Sequence, residues 1–411
     1  MKRRVVVTGL GAITPIGNTV DEMWNRAKAG KCGINLITGF DTTDCKVKIA
    51  GEVKANIEEL IDKRAAKRMD RFSQFAVIAS KEAYKISGLE DAEYDSNRFG
   101  VLISSGIGGL ATIEREHSRA LEKGSDRISP FFVPMNIVNL AAGNVAIELG
   151  AHGMCSCVVT ACAGGTNAIG DAFRYIRDGY AEIMVAGGAE ATITPLGMGG
   201  FTSMKALCES NDLARSSIPF DAERSGFVMG EGAGILILEE YEHAKNRGAN
   251  ILGEMAGYGA TCDAYHITAP CTNGMCAAAA MTQAMEDAGI TSDKVGYINA
   301  HGTSTPLNDS IETTAIKLAF GEHARTLAVS STKSMTGHML GASGAVEAII
   351  TIKAVAEGYL PPTINYMVAD PECDLDIIPN IGRKADIEYA MSNSLGFGGH
   401  NASVVFKKVK E

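Results

Sequence analysis

Cys157-Val158-Val159-Thr160-Ala161-Cys162-Ala163-Gly164-Gly165-Thr166-Asn167-Ala168 is the stretch on which the fold turns. A short β-branched run enters Cys162, small residues surround it, and residues 165–177 follow with helical periodicity. The pattern reads as strand, sharp turn, thiol, helix. A thiol there meets the positive end of a helix dipole, which favours thiolate. Small neighbours let a substrate carbonyl and backbone N–H groups come close. By residue type alone a buried structural cysteine is the commoner case. The turn therefore needs support from elsewhere in the chain.

Outward from this turn, short β-branched runs alternate with longer helical patterns. The runs are 4–8, 99–103, 183–186, 234–238, 296–299 and 327–330; the helical patterns are 70–86, 165–177, 275–288 and 344–356. Such alternation argues an α/β layered fold. A weak internal echo argues duplication. Aligning Gly179-Tyr180 with Gly358-Tyr359 places Gly165 on Gly344 and the amphipathic stretch 168–176 on 347–355. Each stretch follows a strand ending in small polar residues. Two related halves meeting near residue 250 would bring both strand-end turns to one junction, where α/β sheets commonly bind ligands.

The 411 residues allow two or three domains or one large doubled unit. A hydrophobic share of 46% with 21% charged residues is that of an ordinary globular protein. The net charge of −10 argues against a general nucleic-acid binder. One basic cluster stands out: Lys63, Arg64, Lys67, Arg68 and Arg71. At helical spacing Arg64, Lys67, Arg68 and Arg71 share a face. From charge alone, a solvated helix face is the preferred reading.

The ten cysteines are scattered and form no pair of C-x-x-C knuckles, which argues against zinc and against a disulfide scaffold. Reduced thiols in a cytoplasmic protein are expected. The opening Met1-Lys2-Arg3-Arg4-Val5-Val6-Val7 breaks at Gly9, Gly11, Pro15 and Gly17, which fits a first strand better than a signal peptide. No run of eighteen apolar residues predicts a membrane span.

Two histidines stand at strand ends. His301 lies in Asn299-Ala300-His301-Gly302-Thr303-Ser304-Thr305, and His338 in Lys333-Ser334-Met335-Thr336-Gly337-His338. A lone histidine is usually a satisfied or surface group. Two at strand ends with a Cys at a third make the pairing that nucleophilic thiol chemistry needs. A third glycine cluster, Ser392-Asn393-Ser394-Leu395-Gly396-Phe397-Gly398-Gly399-His400, lacks the G-x-G-x-x-G spacing of dinucleotide sites. Its glycines supply backbone N–H groups and leave Phe397 free to swing as a gate.

With these pieces the chain resembles the β-ketoacyl-acyl-carrier-protein synthases of the condensing-enzyme family, and most closely their elongating members in type II fatty acid synthesis. Further matches are Val5-Val6-Val7-Thr8-Gly9-Leu10-Gly11, Ser105-Gly106-Ile107-Gly108-Gly109 and Phe227-Val228-Met229-Gly230-Glu231-Gly232. Together they run from end to end in the family's order. Related thiolases use a second Cys in place of one His, starter synthases use Asn there, and chain-length factors lack the nucleophile.

The resemblance implies a thiolase-like duplicated fold in five layers, α-β-α-β-α, with halves 1–250 and 251–411, in a homodimer. It implies no cofactor, and acyl-carrier protein as partner. In the implied reaction Cys162 takes an acyl chain as a thioester, malonyl-carrier protein loses CO2, and the enolate extends the chain by two carbons. His301 and His338 would stabilise the enolate. Lys333 with Glu347 would order them, and the N–H groups of Cys162 and Phe397 would form an oxyanion hole. Thr303 and Thr305 match hydroxyls that hold the pantetheine arm; Ile107, Phe201 and Phe397 match the acyl pocket and its gates. Arg64, Lys67, Arg68 and Lys205 match a carrier-docking patch, which raises docking above the solvated face. Lys205 stands where relatives commonly have Arg, and His400 where many have Thr. The resemblance also allows a structural monovalent cation near Asn299, Glu347 and Asn393. A specialised polyketide-type pathway, a cysteine hydrolase and a non-catalytic partner subunit are the alternative readings.

Overall fold

The computed structural model describes residues 2–409. Ten strands form one hydrogen-bonded sheet: β1 (Val5–Ile13), β2 (Phe99–Ser104), β3 (Cys155–Ser156), β4 (Ile183–Glu190), β5 (Gly232–Glu240), β6 (Gly253–Cys262), β7 (Val295–Asn299), β8 (Ala328–Ser330), β9 (Tyr389–Gly396) and β10 (His400–Lys407). Their order is β3-β2-β4-β5-β1-β6-β10-β9-β7-β8. Adding five to each strand of the first half gives the second half in mirror order. The pairing directions repeat as well. β2 runs parallel to β3 and β4, and β7 runs parallel to β8 and β9. β4–β5 and β9–β10 are antiparallel, as are β5–β1 and β10–β6. The two halves join where β1 pairs antiparallel with β6, Val5 opposite Met255 and Val7 opposite Gly253.

The helices repeat in the same way. They are α1 (Arg71–Ser87), α2 (Leu140–Leu149), α3 (Gly164–Arg177), α4 (Met275–Ala288), α5 (Pro306–Phe320) and α6 (Ser343–Glu357). α1 and α2 cover the outer face of the first five strands, and α4 packs on β6 and β10 outside the second five. α3 and α6 lie between the two sheet halves, against each other. α6 is buried over most of its circumference, as a helix apolar all round should be. This gives the five layers that the resemblance implies. Gly188 shows how tight the central layer is: a Cβ there would lie 2.2 Å from the Gly341 carbonyl oxygen.

The echo between 165–177 and 344–356 has a backbone counterpart. Ala161 opens a 3-10 turn, Ala161–Ala163, at φ +49°, and Leu340 opens another, Leu340–Ala342, at φ +45°. Both are non-glycine residues in the left-handed region, a conformation that costs energy and needs its surroundings to hold it. Each turn leads directly into a central helix, α3 or α6.

Two local expectations fail. The strand into Cys162 is shorter than its β-branched run: β3 ends at Ser156, and residues 157–160 carry no regular ladder. The basic cluster is not one helix either. Asp62 caps a single turn, Lys63–Ala66, by accepting the N–H groups of Arg64 and Ala65. Buried Asp70 then caps α1 through the Phe72 N–H. The chain breaks between two caps. Arg71 turns inward, its guanidinium 2.7 Å from Glu231 and 3.1 Å from the Val53 carbonyl. It leaves the face that Arg64, Lys67 and Arg68 present.

Candidate active site

A cavity of about 580 Å³ opens over the Cys162 turn. Its wall holds Cys162, His301 and His338, with Ile107, Phe201, Phe397, Thr303, Thr305 and Lys205. Residues more than two hundred positions apart thus converge on one chamber. A larger open depression of about 1090 Å³ near Phe40 and Arg115 contains none of them.

Cys162 is 7% exposed. Burial pushes its thiol up to about 11, against the pull of the Lys333 charge and of backbone N–H groups from Phe397 and from Cys162 itself. The expectation that the helix start favours thiolate is therefore corrected: desolvation outweighs it in the free protein. The small residues also serve a different purpose from the one expected. Gly164 and Gly165 allow packing, since Cβ atoms there would lie 2.0 Å from the Ser104 hydroxyl oxygen and 2.8 Å from the Gly341 carbonyl oxygen.

The two imidazoles meet edge to face, centroids 5.2 Å apart, with Phe227 edge-on to His338. Both are 2% exposed. Burial, then repulsion from Lys333, holds each well below the ordinary histidine range, and His338 lowers His301 further. The Ser343 hydroxyl oxygen accepts the Met339 N–H and lies 3.0 Å from His338 Nδ1. When the hydroxyl donates its own proton to Nδ1, the ring proton is on Nε2. Among the described residues Nε2 has no partner, and neither has His301 Nδ1.

Lys333 and Glu347 sit behind the cavity wall. Their Nζ–Oε1 distance is 2.5 Å, and both are 1% exposed. Burial pushes the Glu347 carboxyl up to about 7 despite that cation. Glu347 Oε2 and Asn299 Oδ1 are buried without a protein partner, whereas Asn393 Oδ1 accepts the Ser403 hydroxyl. Neutral amide and carboxylate oxygens of this kind fit the monovalent cation the resemblance allows.

Sequence reasoning missed the groups that fix the backbone of this wall. Glu312 accepts the N–H of His301 at 2.8 Å and of Gly302 at 2.7 Å. Asp309 accepts those of Thr303, Ser304 and Phe220. Spacing of three on one helix face was the available signal. Thr303 and Thr305 share a hydrogen bond of 2.9 Å. Phe397 forms a three-residue hairpin turn with Gly398 at φ +87° and Gly399 at φ +77°, its ring 6.4 Å from that of Phe201. His400 opens β10 opposite Gly396 and takes no part in the cavity wall. Arg64, Lys67 and Arg68 are exposed and do not line the cavity, whereas Lys205 does.

The comparisons with known proteins agree with this geometry. Residues 2–244 match the family model for the beta-ketoacyl synthase N-terminal domain, and 252–367 that for the C-terminal domain. The chain belongs to the β-ketoacyl synthase family. It is 55% identical over 409 residues to 3-oxoacyl-[acyl-carrier-protein] synthase 2 of Synechocystis sp., covering 99% of this chain and 98% of that one. It is 53% identical over 407 residues to the enzyme of that name in Staphylococcus aureus, again covering 99% and 98%. Among solved structures, a ketosynthase in complex with its type II polyketide acyl-carrier protein superposes with a TM-score of 0.92 at 40% identity, both chains fully covered. A beta-ketoacyl synthase from Burkholderia phymatum gives 0.90 at 36%, also with full coverage.

Proposed function

We propose that this β-ketoacyl synthase elongates fatty acids by decarboxylative condensation on acyl-carrier protein, with Cys162, His301 and His338 as its catalytic residues. The observation that carries the reading is one chamber holding a thiol, two backbone donors aimed at its sulfur and two uncharged imidazoles. Cys162 attacks the thioester carbonyl of the acyl carrier. The new C–S bond forms as the old one breaks, and the thiol proton ends on the departing carrier thiol. Malonyl-carrier then loses CO2, and the electron pair of the broken C–C bond becomes an enolate. Its oxygen takes hydrogen bonds from the histidines; His338 Nε2 is a free, buried donor for that task. The enolate carbon attacks the Cys162 thioester. The oxyanion is held by the N–H groups of Phe397 and Cys162, and collapse expels sulfur and leaves a 3-oxoacyl carrier.

Uncharged histidines suit this sequence of events. They donate without drawing the malonyl carboxylate into an ion pair that would hold it against loss of CO2. Burial keeps them uncharged, and Lys333, locked to Glu347 behind the wall, adds to that by its own charge. A cation on the Asn299 and Glu347 oxygens would add rigidity to the same wall. A cysteine hydrolase would need an acid orienting an imidazole. Glu312 instead bonds the His301 backbone, and the ring nitrogen Nδ1 has no partner. Product analysis with acyl- and malonyl-carrier protein tests the reading: a two-carbon extension is expected, and free fatty acid as the main product would refute it.

Carrier docking on Arg64, Lys67, Arg68 and Lys205 belongs to the same reading. All four are exposed cations on an otherwise acidic protein, and acidic partners are steered by such patches. Reversing Lys67 and Arg68 to Glu is expected to raise KM for carrier-bound substrate about tenfold, with transfer from small thioesters nearly intact. An unchanged KM would remove the docking role. We take the chain as two units, 1–250 and 251–411, acting in a cytoplasmic homodimer. Supporting the dimer, β3 is an open sheet edge beside exposed Val159, and Leu121, Val133 and Ile147 are 76%, 59% and 81% exposed nearby in the same half. Among the described residues no helix is long and apolar enough to cross a membrane.

A further inference from the structure

One fully buried carboxylate near the cavity has no part in the chemistry above. Glu190 ends β4 and is 0% exposed. Its Oε1 accepts the Ser105 hydroxyl at 2.9 Å and the Ile107 N–H at 3.2 Å. Its Oε2 accepts the Gly106 N–H at 2.6 Å and the Gly341 N–H at 3.1 Å. Burial pushes its carboxyl above the usual carboxylate range, and three backbone N–H groups and one hydroxyl, rather than a cation, oppose that push. Such a carboxylate is costly to bury, and its four donors make its position definite.

The donors come from two places that both shape the cavity. Gly106 and Ile107 line it, and Ile107 is the residue matched to the acyl-pocket gate. Gly341 belongs to the Leu340–Ala342 turn, between His338 and Ser343, the hydroxyl that orients that imidazole. The two backbones touch at this point: a Cβ on Gly341 would lie 2.5 Å from the Gly106 nitrogen. Glu190 therefore bridges the two halves of the duplicated fold directly behind the thiol.

We infer that Glu190 is a positioning residue for the condensation: held by its four donors, it ties the Ile107 gate to the turn beside His338 and places its carboxyl group near Cys162. This rests on the condensing reading above. The groups facing the Cys162 sulfur are Lys333, Glu190 and the imidazoles of His301 and His338, with Glu347 and Glu312 behind Lys333. Cys157 and Ser105 are the other groups facing Glu190. Of those facing Cys162, Glu190 is the one whose charge raises the thiol, so its removal lowers it.

The test uses the full-length protein with Glu190→Gln and Ser105→Ala. Glu190→Gln loses the charge and turns an amide NH2 toward N–H donors; Ser105→Ala loosens the same loop and keeps the charge. Iodoacetamide alkylation of Cys162 is followed between about pH 7 and 9, below the thiol's midpoint, where the rate follows the thiolate fraction. Glu190→Gln is expected to react about threefold faster than wild type at each pH, a shift of about half a unit, and Ser105→Ala at the wild-type rate. Both variants are expected to flatten the acyl-length profile, the kcat/KM ratio of best to worst chain falling about threefold. Simple destabilisation lowers the active fraction and leaves the acyl-length ratio unmoved, and faster alkylation through opening of the fold would appear in Ser105→Ala as well as in Glu190→Gln. A folded Glu190→Gln that matches wild type in both overturns the assignment. If that variant does not fold, an unchanged acyl-length ratio in Ser105→Ala overturns it. Failure of the condensing reading would appear separately, as wild-type protein that alkylates normally but extends no acyl carrier.

Discussion

Cys162→Ala is expected to abolish covalent acylation and to lower condensation by about 10,000-fold or more, the loss typical of removing a nucleophile. The chamber offers no substitute. Neither Cys157 nor buried Cys208 lines it. Intact mass after incubation with an acyl carrier checks the result; an acyl adduct on the Ala variant would place the nucleophile elsewhere. Cys162→Gln separates the two chemical steps. Its amide oxygen can occupy the site served by the N–H groups of Phe397 and Cys162, as an acyl thioester oxygen would. Decarboxylation of malonyl-carrier is therefore expected to continue without condensation. Loss of both would count against a separate role for the histidines.

The second large effect concerns those histidines. His301→Ala and His338→Ala are each expected to lower condensation about 100- to 1000-fold, the range for removing one preformed donor to a developing oxyanion. Acyl transfer to Cys162 should persist, so the adduct accumulates and malonyl-carrier fails to clear it. Because burial and Lys333 keep both imidazoles uncharged, decarboxylation by Cys162→Gln should be flat between about pH 6 and 8. A step near the ordinary histidine value would show that one imidazole works in its charged form. Equal loss of acylation and decarboxylation in the Ala variants would mean that the histidines merely hold the chamber together.

The parts legible in the sequence were those with a local signature. Helix 275–288 was readable from its periodicity alone, because alanines and methionines recur on one face that packs on β6 and β10. Cys162, His301 and His338 were readable because each stands among small and polar residues of a turn, although only His301 directly follows a strand, and the structure brings all three to one cavity. The duplication was legible only as a faint alignment of two helices. Its proof is topological, in the repeated strand order and the two positive-φ turns at Ala161 and Leu340.

What could not be read were contacts made by side chains to distant backbone. Glu190 reaches Gly106 across 84 positions and Gly341 across 151, and no spacing rule announces such a partner. The thiol's acidity failed for a related reason. The helix start is local and visible, whereas burial depends on distant segments packed on the turn, among them Gly396, more than two hundred residues on. The basic cluster misled in the opposite direction. Its spacing was helical, but Asp62 and Asp70 each begin a new helix, and Glu231 draws Arg71 away. A cap residue outweighs charge periodicity when the two compete for the same backbone.

The account centres on Cys162 as the carrier of an acyl chain that a second substrate extends. The most direct test is intact-mass spectrometry of the wild-type protein through one turnover. The protein is first loaded with a saturated acyl carrier, and malonyl-carrier is then added. The account predicts one acyl adduct, mapped to Cys162, that is stable until malonyl-carrier arrives and then clears with release of a 3-oxoacyl carrier two carbons longer. An adduct that decays to free acid before malonyl-carrier is added, or one mapped to another residue, would contradict it.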